Sequence, residues 1–504
     1  MAGYDYDFSD RDRVMAERQK RRQELKRRHI RRQRIFYGCI LLVLILIIVL
    51  IVHACSKDDT AETTEAEASQ VTAEEDAAPE DASPEEDGEQ ELELLQVQLL
   101  PNTTTVRISS VGDIMTYDDQ INAAAQADGS YDFSGCFSRV TDYLSAADVT
   151  TANLETTFTD GYDYTGSVPF FNAPVELATN LADAGFDMLT TANTYSILYG
   201  VSGLYSTIQH VRSAGLDNVG TYYTQEERNT NGGAILKDIG GVKVAFLAYT
   251  KNVNDMFVPE GSEYTVNILY EDYCDTYTGI KEDMLLSDVQ AAKDAGAEII
   301  IVLPHWGSEY VFTTRSTQEE IADLLFANGV DAIIGTHSHV VNAMETRQVT
   351  TVDGEEKTVF IAYGLGNFLS AMYRDYTRET VILNLEFEKD LDTGEVTLSN
   401  VNYIPCYIMD TGPDGVTKYQ VVSIHDEMAN YEACTPGCID DETYELFTQA
   451  LEDIHTHAGA EYDIAAVQEE AEETQKADAA AEVPEAEDAS SQEADEATEA
   501  APAA

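Results

Sequence analysis

The chain has 504 residues, of which 92 are Asp or Glu and 30 are Lys or Arg, for a formal net charge of −62 at pH 7. That balance excludes a nucleic-acid-binding surface over most of its length, because a phosphate backbone demands a basic footprint. The length would allow two or three average domains, but the charge is spread too unevenly for the whole chain to be globular.

The first 34 residues hold twelve of the thirty Lys and Arg residues, and IFYGCILLVLILIIVLIV (35–52) follows as eighteen residues with no charge. At about 1.5 Å rise per residue, such a run just crosses a hydrocarbon core of roughly 30 Å. Apolarity on every face predicts a transmembrane helix over 35–53 rather than a core helix. The basic segment before it, 1–34, predicts a cytoplasmic N-terminus and an exported, extracellular remainder. A cleaved signal peptide fits less well, since its basic and apolar parts would both be unusually long. Lipidation at Cys55 also fits poorly, because His53-Ala54 before it make a weak lipobox.

Residues 54–100 are acidic and almost free of aromatic groups, so they cannot bury enough surface to fold and read as a linker. The stretch 463–504 has the same composition and reads as an acidic disordered tail. Six of the seven cysteines lie on the exported side, where disulfides are permitted. Only Cys434 and Cys438, in CTPGC, have a spacing that suggests a local bridge.

Between these flanks, 101–462 reads as one folded domain. VRISSVGD is a predicted strand, FSRVTDYLSAA a helix, DVTTANLE a strand, PVELATNLADAG a helix, FDMLTTAN a strand, GLYSTIQHVRSAG a helix and VGTY a short strand. GAILKDIGGVKVAFLAYT predicts a hairpin turning at Gly240-Gly241. MLLSDVQAAKDAG and QEEIADLLFANG predict helices before the strands AEIIIVLPHWG and VDAIIGTH. KTVFIAYGLGNFL and ETVILNLEFEKDLDTGEVTLSNVNYIP predict antiparallel strands, the latter turning at Asp392-Thr393-Gly394. This alternation predicts an α/β fold with a largely parallel sheet covered by helices, plus hairpins.

Polar residues collect at the C-terminal ends of the predicted strands, the edge where open α/β sheets bind ligands. They are Asp113, Asn153 and Glu155, Asn193, His305 and Glu309, His337 and His339, and Asn367. Singly, each has an ordinary explanation: Gly-Asp is a common turn, and a lone histidine is usually a satisfied core group. His-x-His is not specific either, since His455 and His457 repeat it beside the acidic tail. Imidazole, amide and carboxylate ligands together suit Zn²⁺, Mn²⁺ or Fe²⁺, and this many would serve two ions.

VGDIM, NLE, TAN, PHWGSEY, GTHSHVV and YGLGNFL, in this order, resemble the capsule-synthesis CapA (poly-γ-glutamate synthesis PgsA) family, a relative of the calcineurin-like metallophosphoesterases. The resemblance implies a four-layer α/β sandwich, here followed by a C-terminal β-hairpin region and preceded by the transmembrane helix. It implies a divalent-metal site of Asp113, Asn153, Glu155, Thr194, His305, His337 and His339, with Asn193, Tyr195 and Glu309 in catalytic positions. It also implies a membrane-anchored role in making or exporting capsule polymer, with poly-γ-glutamate and other membrane capsule-synthesis proteins as partners. The chain would act either as a metal-dependent hydrolase or as a non-catalytic binding module. It departs from the family at Ala192-Asn193-Thr194-Tyr195, where Ala-Asn-Asn-His is usual. A hydroxyl thus replaces an amide, and a phenol replaces an imidazole.

Overall fold

A computed structural model describes residues 102–468; the basic segment, the expected membrane helix, the linker through 101 and the tail from 469 lie outside the described residues. Among the described residues, no helix is long and apolar enough to cross a membrane.

The strands in chain order are β1 (Thr103–Ile114), β2 (Val149–Leu154), β3 (Thr165–Ser167), β4 (Phe170–Asn172), β5 (Met188–Thr190), β6 (Asp217–Val219), β7 (Ile235–Ile239) and β8 (Val242–Thr250). They continue as β9 (Ile299–His305), β10 (Ala332–Ile334), β11 (Met344–Thr350), β12 (Glu356–Ala362), β13 (Asn367–Leu369), β14 (Glu379–Asp390), β15 (Val396–Met409) and β16 (Gln420–Ser423). One sheet has the order β16-β15-β14-β1-β2-β5-β6, with β13 also on β1, and the other has β11-β12-β10-β9-β8-β7.

Side-chain alternation sets the layers. In β8, Val244, Phe246 and Ala248 face one way, and Ala245, Leu247 and Tyr249 the other. Strands apolar on both faces must be covered on both. The first set meets Val106, Ile108, Val149 and Met188 of the other sheet and forms the central core. The second is covered by the helices Glu282–Asp294 and Ser316–Ala327 through Leu285, Val289, Ile321 and Leu325. Beyond the first sheet, Phe137, Leu177, Leu181 and Val211 cover Leu154, Leu189 and Ile382. The result is helix, sheet, sheet, helix. Each fully buried Leu, Ile or Phe contributes roughly 1.5–3 kcal/mol relative to exposure.

β1, β2, β5 and β6 run parallel, as do β8, β9, β10 and β12, so each group brings its C-terminal ends to one edge. The expected hairpins form at Gly240-Gly241 and at 392–394, but the second is no separate C-terminal region. β14 lies antiparallel on β1 from Thr103 to Ser110 and completes the first sheet.

KTVFIAYGLGNFL, expected as antiparallel, divides instead. β12 pairs parallel with β10 and antiparallel with β11, and β13 then crosses to lie parallel on β1. FSRVTDYLSAA forms two short helices, Ser134–Phe137 and Thr141–Leu144, separated at Val140, whose φ of −128° is non-helical and whose N–H bonds Phe137 O at 2.9 Å in a tighter turn.

Two further helices, Ile424–Glu432 and Asp441–Ala458, pack against this framework. Each starts at a side-chain cap: Ser423 accepts from Asp426 N–H, and Asp440 from Thr443 N–H. Phe447, Ala450, Ile454 and Ala458 then lie on one buried face of the second. The fold continues through Asp463, which is 2% exposed and receives the ring nitrogens of His425 and His455 at 2.7 and 2.8 Å. Cys434 and Cys438 are both free thiols.

Candidate metal centre

Backbone contact without side chains assembles the centre. A Cβ on Gly112 would lie 1.9 Å from Gly366 O, so only glycine lets the end of β1 approach β13. This seats Asp113 opposite Asn367 on one side and Asn153 of β2 on the other. In the second sheet, a Cβ on Gly335 would lie 2.2 Å from Tyr363 O and 2.5 Å from Trp306 Nε1. The bare backbone there lets the turn after β10 fold back over His305, the last residue of β9. His337 and His339 sit in that turn with φ of 93° and 58°. Such left-handed backbone is costly for residues with a Cβ and is typical of functional sites.

Asp113, Glu155, His305, His337 and His339 converge here, all buried. His305 Nε2 lies 3.4 Å from Glu155 Oε1 and 3.0 Å from His337 Nδ1. His339 Nδ1 lies 3.2 Å from Asp113 Oδ2 and 4.0 Å from Glu155 Oε2. Two sets have ligand atoms all within 4.8 Å of one another: Glu155, His305 and His337, and Asp113, Glu155 and His339. Glu155 belongs to both. The buried oxygens Asp113 Oδ2 and Glu155 Oε2 have no hydrogen-bond partner, and a buried acceptor left unsatisfied is costly. A divalent cation would satisfy both oxygens, so the residues present fit a metal.

The electrostatics agree. Burial and the charge of Asp113 push the Glu155 carboxyl up. Burial would also raise Asp113, but His339, whose Nδ1 lies 3.2 Å from Asp113 Oδ2, holds it below its ordinary value. Burial alone would depress His339; the carboxylates of Glu155 and Asp113 push it up to about 9 instead. His337 is held well below the ordinary value by burial and by His305.

The other expected site residues surround these five. Asn153 donates to Asp113 Oδ1 at 2.7 Å, contacts His305 Nδ1 at 3.2 Å, and accepts from Thr190 and Asn193 through Oδ1. It is the hub that orients the carboxylate. Asn193 spends its amide N–H groups on Asn153 Oδ1 and Leu154 O, so it supports Asn153 and does not reach into the cleft. Thr194 Oγ1 contacts His305 Nε2 at 3.0 Å. Tyr195 packs its ring 4.8 Å from that of Phe171, and burial and the charge of Glu155 push its phenol far above the ordinary range. Glu309 is exposed and lines an open cleft of about 310 Å³ beside His337.

His455 and His457 lie elsewhere, the first on Asp463 and the second stacked on Phe312 at 3.7 Å. Sequence reading did not single out Thr336, and it placed Asn367 at the strand edge without a ligand or catalytic role. Thr336 Oγ1 contacts His305 Nδ1, and Asn367 Oδ1 contacts His339 Nδ1, both at 3.0 Å. Their signal was position: Thr336 stands inside GTHSH, and Asn367 opens β13.

The family described as bacterial capsule synthesis protein PGA_cap matches residues 107–372. A Bacillus anthracis protein named capsule biosynthesis protein CapA is 26% identical over 289 residues, 56% of this chain and 63% of that protein, so the chain spans less than two thirds of that relative. A Bacillus subtilis (strain 168) protein named PGA biosynthesis protein CapA is 26% identical over 302 residues, 58% of this chain and 70% of that protein. Among solved structures, a phosphatase from Mycoplasma pneumoniae is similar at 15% identity and a TM-score of 0.35, over 60% of this chain and 94% of its own.

Proposed function

The chain belongs to the bacterial capsule synthesis family PGA_cap, and from that premise we propose a membrane-anchored, extracellular protein whose strand-edge centre binds two divalent ions and hydrolyses a bond in an anionic envelope polymer. Resemblance to the CapA proteins makes poly-γ-glutamate the first polymer to test and other membrane capsule-synthesis proteins the expected partners. Residues 35–53 would anchor the chain, with its N-terminus in the cytoplasm.

The observation that carries the metal reading is Glu155, a member of both ligand sets, with Oε2 lacking a hydrogen-bond partner. Glu155, His305 and His337 would hold one ion and Asp113, Glu155 and His339 the other, with Mn, Zn or Fe as candidates. A bound divalent ion supplies Lewis acidity and brings the pKa of a coordinated water toward about 7. The chain's own groups do the rest. Asn153 and Thr336 hold the ring of His305 through Nδ1, which leaves Nε2 facing Glu155. Such orientation of ligands by their neighbours is typically worth about 10–100-fold in metal affinity.

A second reading, a non-catalytic module that binds polymer, draws support from Tyr195. Its phenol holds its proton far too tightly to act as a proton carrier near neutral pH. Metal content and hydrolysis of phosphodiester and γ-glutamyl substrates, compared between the full chain and the His337→Ala/His339→Ala variant, separate the two. Metal-dependent turnover excludes the binding-only module. A metal-free wild-type chain, with polymer binding unchanged in the variant, excludes the hydrolase.

A further inference from the structure

The cleft beside His337 contains two cations that the metal reading leaves unused. Lys251 follows the end of β8, Arg315 precedes the helix Ser316–Ala327, and both line the cleft with Thr194, Asn252 and Asn254. Arg107, Arg139, Arg212, Arg228, Arg347 and Arg378 each reach a carboxylate. Among the described residues, Lys251 and Arg315 pair with none within 4.0 Å, in a protein where carboxylates far outnumber cations.

Each cation donates a hydrogen bond to one neutral group. Lys251 Nζ donates to Gly307 O at 2.9 Å and lies 4.9 Å from the centre of the Tyr277 ring. Arg315 Nε donates to Ser308 Oγ at 2.5 Å. These bonds pin the 307–308 turn, a task that neutral donors would also perform. They leave the terminal guanidinium nitrogens and most of the ammonium protons for a further acceptor.

We infer that Lys251 and Arg315 form a subsite for one multi-oxygen anion, a carboxylate or a phosphate, on the substrate beside the group presented to the metal centre. A guanidinium fork and an adjacent ammonium match the oxygens of such a group. Asp255 and Glu309 line the same cleft, so its two cations suit a single anionic group of the substrate. The placement beside a reacting group rests on the proposed metal centre, whereas anion binding itself does not.

Calorimetric titration of the full chain tests this, with inorganic phosphate and the dipeptide γ-glutamylglutamate as separate probes, before and after chelation. Binding of at least one probe is expected to survive chelation. Arg315→Gln and Lys251→Gln are each expected to weaken it by about tenfold or more, with bound metal unchanged. Arg315→Lys, which keeps the charge and loses the fork, should fall between them and the wild type. Which probe responds identifies the anion as phosphate or carboxylate. Binding that disappears on chelation, or that Arg315→Gln and Lys251→Gln leave untouched, overturns the subsite. A chain that holds no metal yet still binds a probe through these residues removes the metal centre and leaves the subsite standing.

Discussion

This fold contains two histidine–carboxylate clusters that differ in what each carboxylate is given to bond. At the C-terminal end, Asp463 uses both oxygens: Oδ1 receives His425 and the Ala465 N–H, and Oδ2 receives His455. At the strand edges, Asp113 and Glu155 each keep one oxygen without a partner although three imidazoles stand nearby. Both clusters set buried carboxylates against histidines, although His425 and His455 are 30% and 31% exposed. In the first, the donors answer every acceptor and the cluster is a clamp. In the second, acceptors exceed donors, and burial forbids water from making up the difference. Residue types at a spacing therefore do not mark a candidate metal site; the convergence of two ligand sets on Glu155, with oxygens left unpartnered, sets the strand-edge cluster apart.

The largest expected effect breaks the strand-edge cluster alone. Glu155→Gln removes a charge from both ligand sets and should weaken divalent-metal binding about a hundredfold or more, measured by chelator competition on the full chain. Asp463→Ala should leave that affinity unchanged. Metal content untouched by Glu155→Gln would make the two clusters equivalent and the distinction empty.

Asp463→Ala should instead cost about 2 kcal/mol of stability, read from denaturant midpoints. The hydrogen bonds from His425 and His455 hold Asp463 below its ordinary value against the upward push of burial. Its contribution is therefore present above about pH 4 and is lost as pH falls through its lowered folded value. Glu155 has the opposite sign, since burial and Asp113 push it up. Glu155→Gln should accordingly leave the metal-free chain as stable as before, or more so.

A pH titration sharpens the contrast further. Without metal, His339 keeps its proton up to about 9. An incoming ion must displace that proton, so metal affinity should rise by roughly tenfold per unit from neutral pH and level off above about 9. His337 is already neutral across this range and adds no slope. A flat profile between pH 7 and 9 would mean that His339 is not a ligand. The smallest effect belongs to Tyr195→Phe, which should change stability by less than about 0.5 kcal/mol and bound metal not at all, since the residue contributes its ring.

Much of the centre was legible because parallel strands deliver their C-terminal residues to one edge whatever the strand order. Asp113, Glu155, His305, His337 and His339 needed only that rule. The division into two sheets was not legible, because it depends on pairings distant in sequence. β12 and β13 are separated by four residues yet belong to different sheets. Thr336 escaped notice, and Asn367 was read only as a strand-end residue, because a hydroxyl or amide shows its role only when an imidazole stands opposite. The helices Ile424–Glu432 and Asp441–Ala458 had readable caps and a readable apolar stripe, and the expected strand pattern simply ended before them. Composition placed Asp463 in the tail because a lone acidic residue in an acidic stretch carries no local sign of the two histidines that reach it.

Gly112 and Gly335 take no part in any proton or metal chemistry, yet their missing side chains decide where Asp113 and the His337–His339 turn come to rest. Even alanine at Gly112 would have to occupy space 1.9 Å from Gly366 O. In a saturation mutagenesis map scored on activity, both positions will therefore be as intolerant as the ligands, and they will tolerate no conservative exchange. The two can be told apart by what is lost: a ligand variant keeps its folded yield and gives up metal, whereas a variant at Gly112 gives up yield first. A map read without that second measurement would count the scaffold's steric limits as part of its chemistry.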